Sequence, residues 1–136
     1  MSGAYGATSG TSERESRAVM EPLMHFSLRD EVDRLRSEEP WRDGDRNSRT
    51  LAKEVDFRVL LTVLRDGAAL EELDGDARVG IQLLDGRAVV ELENAAEQLA
   101  AEDMAVVDAG QPWRLRGVGD CAVLLTFAWP REKARV

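Results

Sequence analysis

The residues able to do chemistry are few and scattered. Histidine occurs once, at His25, and cysteine once, at Cys121. A general base needs an oriented partner and a substrate within reach; His25, in PLMHFSLRD just ahead of a helical segment, reads instead as a surface or packing residue. Cys121 opens the apolar run CAVLLTFAW. Apolar neighbours raise a thiol's pKa and leave it inert, and without a second cysteine there is no intramolecular disulfide. Ser27 is explained by helix capping rather than by nucleophilic work. The densest group of donors is EELDGD, with Glu71, Glu72, Asp74 and Asp76. It lacks the later bidentate glutamate of an EF-hand loop and reads as a solvated acidic turn. The Gly-rich start holds no G-x4-G-K-[ST] phosphate loop. No nucleophile, base and orienting group assemble from this set, so no catalytic residue is expected.

The elements that carry these residues follow from the alternation of apolar and polar positions. Residues 1–19 are rich in Gly, Ser, Thr and Ala and too poor in apolar groups to offset the entropy of ordering them. A disordered leader is expected there, unless translation begins at Met20. Residues 20–48 read as a helix and a loop. Ser27 precedes LRDEVDRLR, in which Leu28, Val32 and Leu35 recur at helical spacing and Asp30 stands where a capping box has Glu. An amphipathic helix over about residues 28–37 follows, with Asp30 and Arg34 at i,i+4 and Pro40 just past its end. WRDGDRNSR then reads as a loop, with Asp43-Gly44 and Asn47-Ser48 as turn chemistry.

Residues 49–130 change to β text: TLAKEV, FRVLLTVLRDG, VGIQLLDG, RAVVELE, EQLA, DMAVVDAG, PWRLRG and CAVLLTFAW. Short runs rich in Val and Leu, bounded by Gly, Asp, Asn or Pro, predict an all-β sandwich or barrel. Asp85-Gly86 is the strongest hairpin signal. In FRVLLTVL and AVLLTFA both faces are largely apolar, which predicts cover on both sides, by the helix or by a second subunit. Residues 131–136 form a tail.

Composition bounds the functions. The chain of 136 residues suits one domain with a single core. With 26 acidic against 18 basic residues it carries a formal charge of −8, which disfavours nucleic acid and anionic membranes as partners. Lys53 and Lys133 are its only lysines, a bias to which we attach no functional weight. No apolar stretch of about 18 residues is present to span a bilayer, and the start has no basic head followed by a hydrophobic segment. A cytoplasmic location is expected.

Two stretches then resemble the motifs of the cupin barrel, G-x5-H-x-H-x3or4-E-x6-G and G-x5-P-x-G-x2-H-x3-N. Laying the first on Gly67 places its histidines at Leu73 and Gly75, its glutamate at Val79 and its last glycine at Gly86. The second runs from Glu102, with Asp108 at its proline, Gly110 at its glycine, Trp113 at its histidine and Gly117 at its asparagine. The helix SLRDEVDRLRSEEPW, the strand pair NSRTLAKEVDFRVLLTVLRDG and the closing LLTFAWP are also similar to small bacterial cupin-domain proteins, so the resemblance spans about residues 20–130.

The resemblance implies an all-β, cupin-type double-stranded antiparallel β-barrel, jelly-roll-like, with a short N-terminal α-helix. In that family three imidazoles and a carboxylate hold a divalent ion, a donor set that suits Fe, Mn, Ni or Zn. Leu73, Gly75, Val79 and Trp113 supply no such lone pairs, so neither metal nor cofactor is expected. If Trp113 points inward as the motif's histidine does, alternation sends Leu115 the same way and Arg114 and Arg116 outward, with Val79, Ile81 and Leu83 also inward. The interior is then either packed shut, the preferred reading, or a small apolar pocket with the indole N–H as its polar handle. The expected ligand-lining residues are Trp113, Leu73, Val79, Ile81 and Leu115. The leading functional expectation is a non-catalytic, metal-free cupin domain that binds a small apolar molecule or a protein partner and forms a homodimer. The alternatives are an isomerase- or dioxygenase-like enzyme with an unconventional or metal-independent site, and a purely structural homodimer subunit.

Overall fold

Ser27 begins the first regular element: its side chain accepts the Asp30 backbone N–H at 3.4 Å, and helix α1 runs Leu28–Leu35. Asp30 and Glu31 sit in its first turn and Arg34 in its last, each complementing the helix dipole. The computed structural model describes residues 20–72 and 75–130; the leader expected at 1–19, the tail at 131–136, and Leu73 lie outside them. A second short helix, α2 (Glu39–Asp43), follows where a loop was expected. Pro40 does not end a helix here but starts one, because proline at the first helical turn forfeits no hydrogen bond.

Nine strands follow: β1 (Arg46–Glu54), β2 (Phe57–Leu64), β3 (Ala69–Glu72), β4 (Arg78–Asp85), β5 (Arg87–Glu91), β6 (Ala96–Ala100), β7 (Met104–Val107), β8 (Trp113–Gly117) and β9 (Cys121–Ala128). They form two antiparallel sheets, a larger one in the order β1-β2-β9-β4-β7 and a smaller one in the order β3-β8-β5-β6. Asn47 and Ser48 lie inside β1 rather than in a turn, because Asn47 donates to Leu35 O at 2.9 Å and Ser48 shares a hydrogen bond with Thr62 across the ladder. The acidic run is likewise not all turn. Glu71 and Glu72 belong to β3, where Leu70 pairs with Leu115 and Glu71 forms an ion pair with Arg114.

The Asp85-Gly86 signal marks a corner, not a hairpin. Its flanking strands β4 and β5 lie in different sheets, so the chain turns there from one layer to the other. Gly86 has φ 83°, and a Cβ on it would lie 2.8 Å from Cys121 Cα. Only glycine fits that approach.

The side chains between the sheets form the main core, including Leu64, Val79, Ile81, Leu83, Leu115, Val123 and Leu125. A second core lies outside the larger sheet, where Val32 and Leu35 of α1 and Trp41 of α2 cover Leu51, Leu61, Val63 and Ala122. Each fully buried Leu or Val contributes roughly 1.5–3 kcal/mol. The double-sided apolar pattern of β2 and β9 is thus explained by one face on the barrel interior and one under the helices. A charged layer rims the second core. Arg49 is 7% exposed and pairs with Glu31 at 3.4 Å and Glu38 at 2.9 Å, while Arg36 grips Asp85 of the corner through two 3.0 Å bonds. No helix of the described residues is long and apolar enough to cross a membrane.

Candidate functional site

Register decides which side chains share the barrel interior. In β8, Trp113 and Leu115 are buried and Arg114 is exposed; in β4, Val79, Ile81 and Leu83 are buried and alternate with half-buried Gly80 and Gln82. Val79, Ile81 and Leu115 have no accessible surface at all, so at their level the interior is filled by protein atoms. Trp113 retains 4% and Phe127 8%. Toward one end of the barrel the partly buried Trp129 packs on the same core, while the partly buried Leu60 and Leu70 stand level with Leu125 and Leu115.

That end gathers groups from both sheets. Arg58 of β2 pairs with Phe127 of β9, and directly opposed residues of an antiparallel pair share a face. Arg58 therefore stands on the inner face, in line with Leu60 and Leu64. Its guanidinium lies over the Trp129 ring at 5.3 Å, and that ring stacks on Phe127 with centroids 5.9 Å apart at 22°. On the facing sheet Glu72 pairs with Trp113, so this carboxylate, too, faces inward at the same end. The Arg58 Nε is buried without a hydrogen-bond partner.

The loop that delivers Trp113 is pinned from both sides. Arg78 donates to Asp108 at 2.7 Å, and that hydrogen bond holds the Asp108 carboxyl below its ordinary pKa. Gly110 N–H donates to Gly75 O. Gly75 itself has φ 70°, and a Cβ on it would meet the Gln111 backbone at 3.1 Å. A histidine at this motif position would be strained in its backbone and crowded against the loop.

A divalent ion does not fit the residues present. Gly75, Val79 and Trp113 offer no donor, and Leu73 has none to offer. Among the described residues no group of three or more His, Cys, Asp or Glu is placed to hold a metal. Elsewhere, Cys121 is fully buried, and desolvation pushes its thiol up to about 11. His25 is exposed, away from the barrel interior. A cavity of about 250 Å³ bordered by Arg87, Gln98 and Asp103 lies at the opposite end, where β5 and β6 pair at Arg87 and Ala100.

The fold recurs in solved structures. A cupin-superfamily protein from Desulfitobacterium hafniense matches with a TM-score of 0.59 at 23% identity, over 62% of this chain and 78% of its own. A cupin-2 domain protein from Shewanella frigidimarina matches with a TM-score of 0.59 at 15% identity, over 78% of this chain and 94% of its own. The fold is the cupin barrel. KdgF from a Halomonas species shares it with a TM-score of 0.57 at 17% identity, over 66% of this chain and 85% of its own. No protein-family model and no curated protein matches the sequence.

Within this cupin barrel the structure joins Trp113, Val79, Ile81 and Leu115 in one core, as the motif alignment implies. Sequence reasoning missed Arg58, Glu72, Phe127 and Trp129. A signal existed for Arg58, since stepping by two from Leu60 or Leu64 reaches it. For Glu72 there was none, because a four-residue strand shows no periodicity.

Proposed function

We propose that this chain is a non-catalytic cupin-domain protein that binds a small, largely apolar molecule at the Trp113 end of its barrel, without metal. The observation that carries the reading is the aromatic pair at one end of the barrel, where half-buried Trp129 stacks on Phe127, itself buried level with Val79, while Ile81 and Leu115 are closed off. Ligand sites are concave, mostly apolar and furnished with a few polar groups. Here Arg58 and Glu72 supply the polar groups, and Trp113 forms the floor rather than a wall. The donor-free motif positions argue against Lewis-acid chemistry, and no acid, base and nucleophile converge to replace it. The reading includes a cytosolic location, supported by a lone, buried thiol and the absence of disulfide use.

The test is equilibrium binding of the neutral fluorophore N-phenyl-1-naphthylamine to the full chain. Saturable enhancement that weakens in Trp129→Ala, with the fold retained by circular dichroism, is expected. Non-saturating enhancement, or identical binding by the variant, overturns the site. Stoichiometric Fe, Mn, Ni or Zn in protein dialysed against chelator overturns the metal-free part.

A further inference from the structure

The cavity of about 250 Å³ beside β5 and β6 lies at the end of the barrel opposite Trp113, and strand register explains what borders it. Arg87 pairs with Ala100 and Val89 with Gln98, so these four share one face of the ladder. The intervening pair, Ala88 and Leu99, is buried toward the core. Val118, just past β8, and Asp103, just before β7, complete the wall. Val118 is tied in by donating its N–H to Arg87 O at 2.9 Å. Arg87, Gln98, Asp103 and Val118 are all exposed, so a solute reaches them from water.

Asp103 is held by side chain and backbone together. Its Oδ2 accepts the Ala100 N–H at 2.8 Å, its own N–H donates to Ala100 O at 2.9 Å, and its carbonyl accepts the Leu83 N–H at 3.0 Å. The preceding Glu102 holds φ 78°, the one positive value on a residue other than glycine among those described, and donates its N–H to Leu83 O at 2.8 Å. Such a conformation persists where the surroundings over-determine it. The Asp103 carboxylate is therefore in place before a ligand arrives, which spares the ordering cost of binding. A carboxylate accepts on both oxygens, so the bond to Ala100 leaves it able to take a second donor.

We infer that this cavity binds a small zwitterion of the α-amino acid class. Its polar wall carries one guanidinium, one carboxylate and one primary amide, and the remainder is apolar. Arg87 takes the ligand's carboxylate in the fork geometry of a guanidinium, Asp103 takes its ammonium, and Val89 and Val118 take its apolar side chain. Net charge separates this ligand from a simple anion. The chain's formal charge of −8 repels a free carboxylate and leaves a neutral zwitterion unopposed. Size sets an upper limit: at about 30 Å³ per water the cavity holds roughly eight waters, the bulk of a free amino acid and not of a nucleotide.

This inference is independent of the site at the Trp113 end. L-leucine, N-acetyl-L-leucine, which lacks the ammonium, and L-leucinamide, which lacks the carboxylate, are titrated calorimetrically at neutral pH into the full chain, Arg87→Gln and Asp103→Asn. The full chain is expected to bind L-leucine with a submillimolar Kd and each analogue at least about tenfold more weakly, the scale of one charged hydrogen bond. Asparagine keeps an acceptor for the Ala100 N–H, so Asp103→Asn should fold by circular dichroism, lose about tenfold in affinity for L-leucine, and bind N-acetyl-L-leucine no more weakly than the parent does. Arg87→Gln should lose affinity for L-leucine and bind L-leucinamide no more weakly than the parent does. Failure of L-leucine to saturate the full chain at millimolar concentration overturns the site. Equal affinities for the three compounds overturn the zwitterion assignment, and parent-like L-leucine binding by either variant overturns the role of that residue. If Asp103→Asn does not fold, unchanged L-leucine affinity in Arg87→Gln overturns the inference by itself. Displacement of bound N-phenyl-1-naphthylamine by L-leucine puts both in one place and overturns the separate cavity.

Discussion

Trp113 occupies the position at which the cupin motif places its last histidine, and it does so as packing. At 4% exposure in the main core, it makes Trp113→Ala a core truncation, expected to cost about 3–5 kcal/mol in denaturant unfolding. Trp113→His should yield no metal binding, because Gly75 and Val79 remain without donors. Rebuilding the site further is blocked at Gly75, where positive φ and the Gln111 backbone leave no comfortable place for a side chain. Cys121 provides an independent probe of closure. With its thiol pushed up to about 11, the thiolate is scarce at pH 8, and the native protein should not react with an aromatic disulfide until it is unfolded. Rapid release of the chromophore from native protein would contradict the buried placement. At this scale the sequence was informative wherever alternation ran long enough: with Trp113 set inward by the motif resemblance, parity placed Leu115, Val79 and Ile81 inward as well. Glu72 was not so placed, because its inward face is set by pairing with Trp113, a partner far away in sequence.

Helix α1 is held to β1 by charge as well as by Val32 and Leu35. Arg49 lies beneath it between Glu31 and Glu38, and Asn47 reaches up to Leu35 O. Removing one member of such a buried set strands the others. Arg49→Ala is therefore expected to destabilise by about 3–5 kcal/mol, whereas Arg34→Ala, whose exposed side chain sits 3.9 Å from Glu31, should change stability by about 0.5 kcal/mol or less. Comparable losses for the two variants, measured by urea unfolding, would refute the layer's role. The helix itself was readable from its cap and apolar spacing. The elements misread were those whose identity depends on something not adjacent: α2, whose proline is also a stop signal, β3, which takes its form from β8, and the Gly86 corner, which looks locally like a hairpin.

At the scale of the whole molecule, the apolar outer face of β2 and β9 no longer calls for a second copy, because α1 and α2 cover it. A chain lacking residues 1–45 would bare Leu51, Leu61, Val63 and Ala122 together, and light scattering should then show self-association that the full chain does not share through this face. A different boundary remains in the open. β7 ends the larger sheet, and Met104 and Val106 on it are 59% and 64% exposed. Its own residues, MAVV, carry no charge, but Asp103 precedes them and Asp108 follows. Short uncharged β segments at a sheet margin are templates for further strands, and flanking charges act as gatekeepers. Shelf life in acid should therefore be governed by four residues at one rim. The formal charge vanishes near pH 4.7, yet Asp108, its carboxyl held low by Arg78, stays ionised further into acid than an ordinary aspartate. Turbidity at that pH should rise fastest in Asp108→Ala and slowest in Val106→Lys, so that how long a solution of this protein stays clear is decided by one short strand at the margin of the larger sheet.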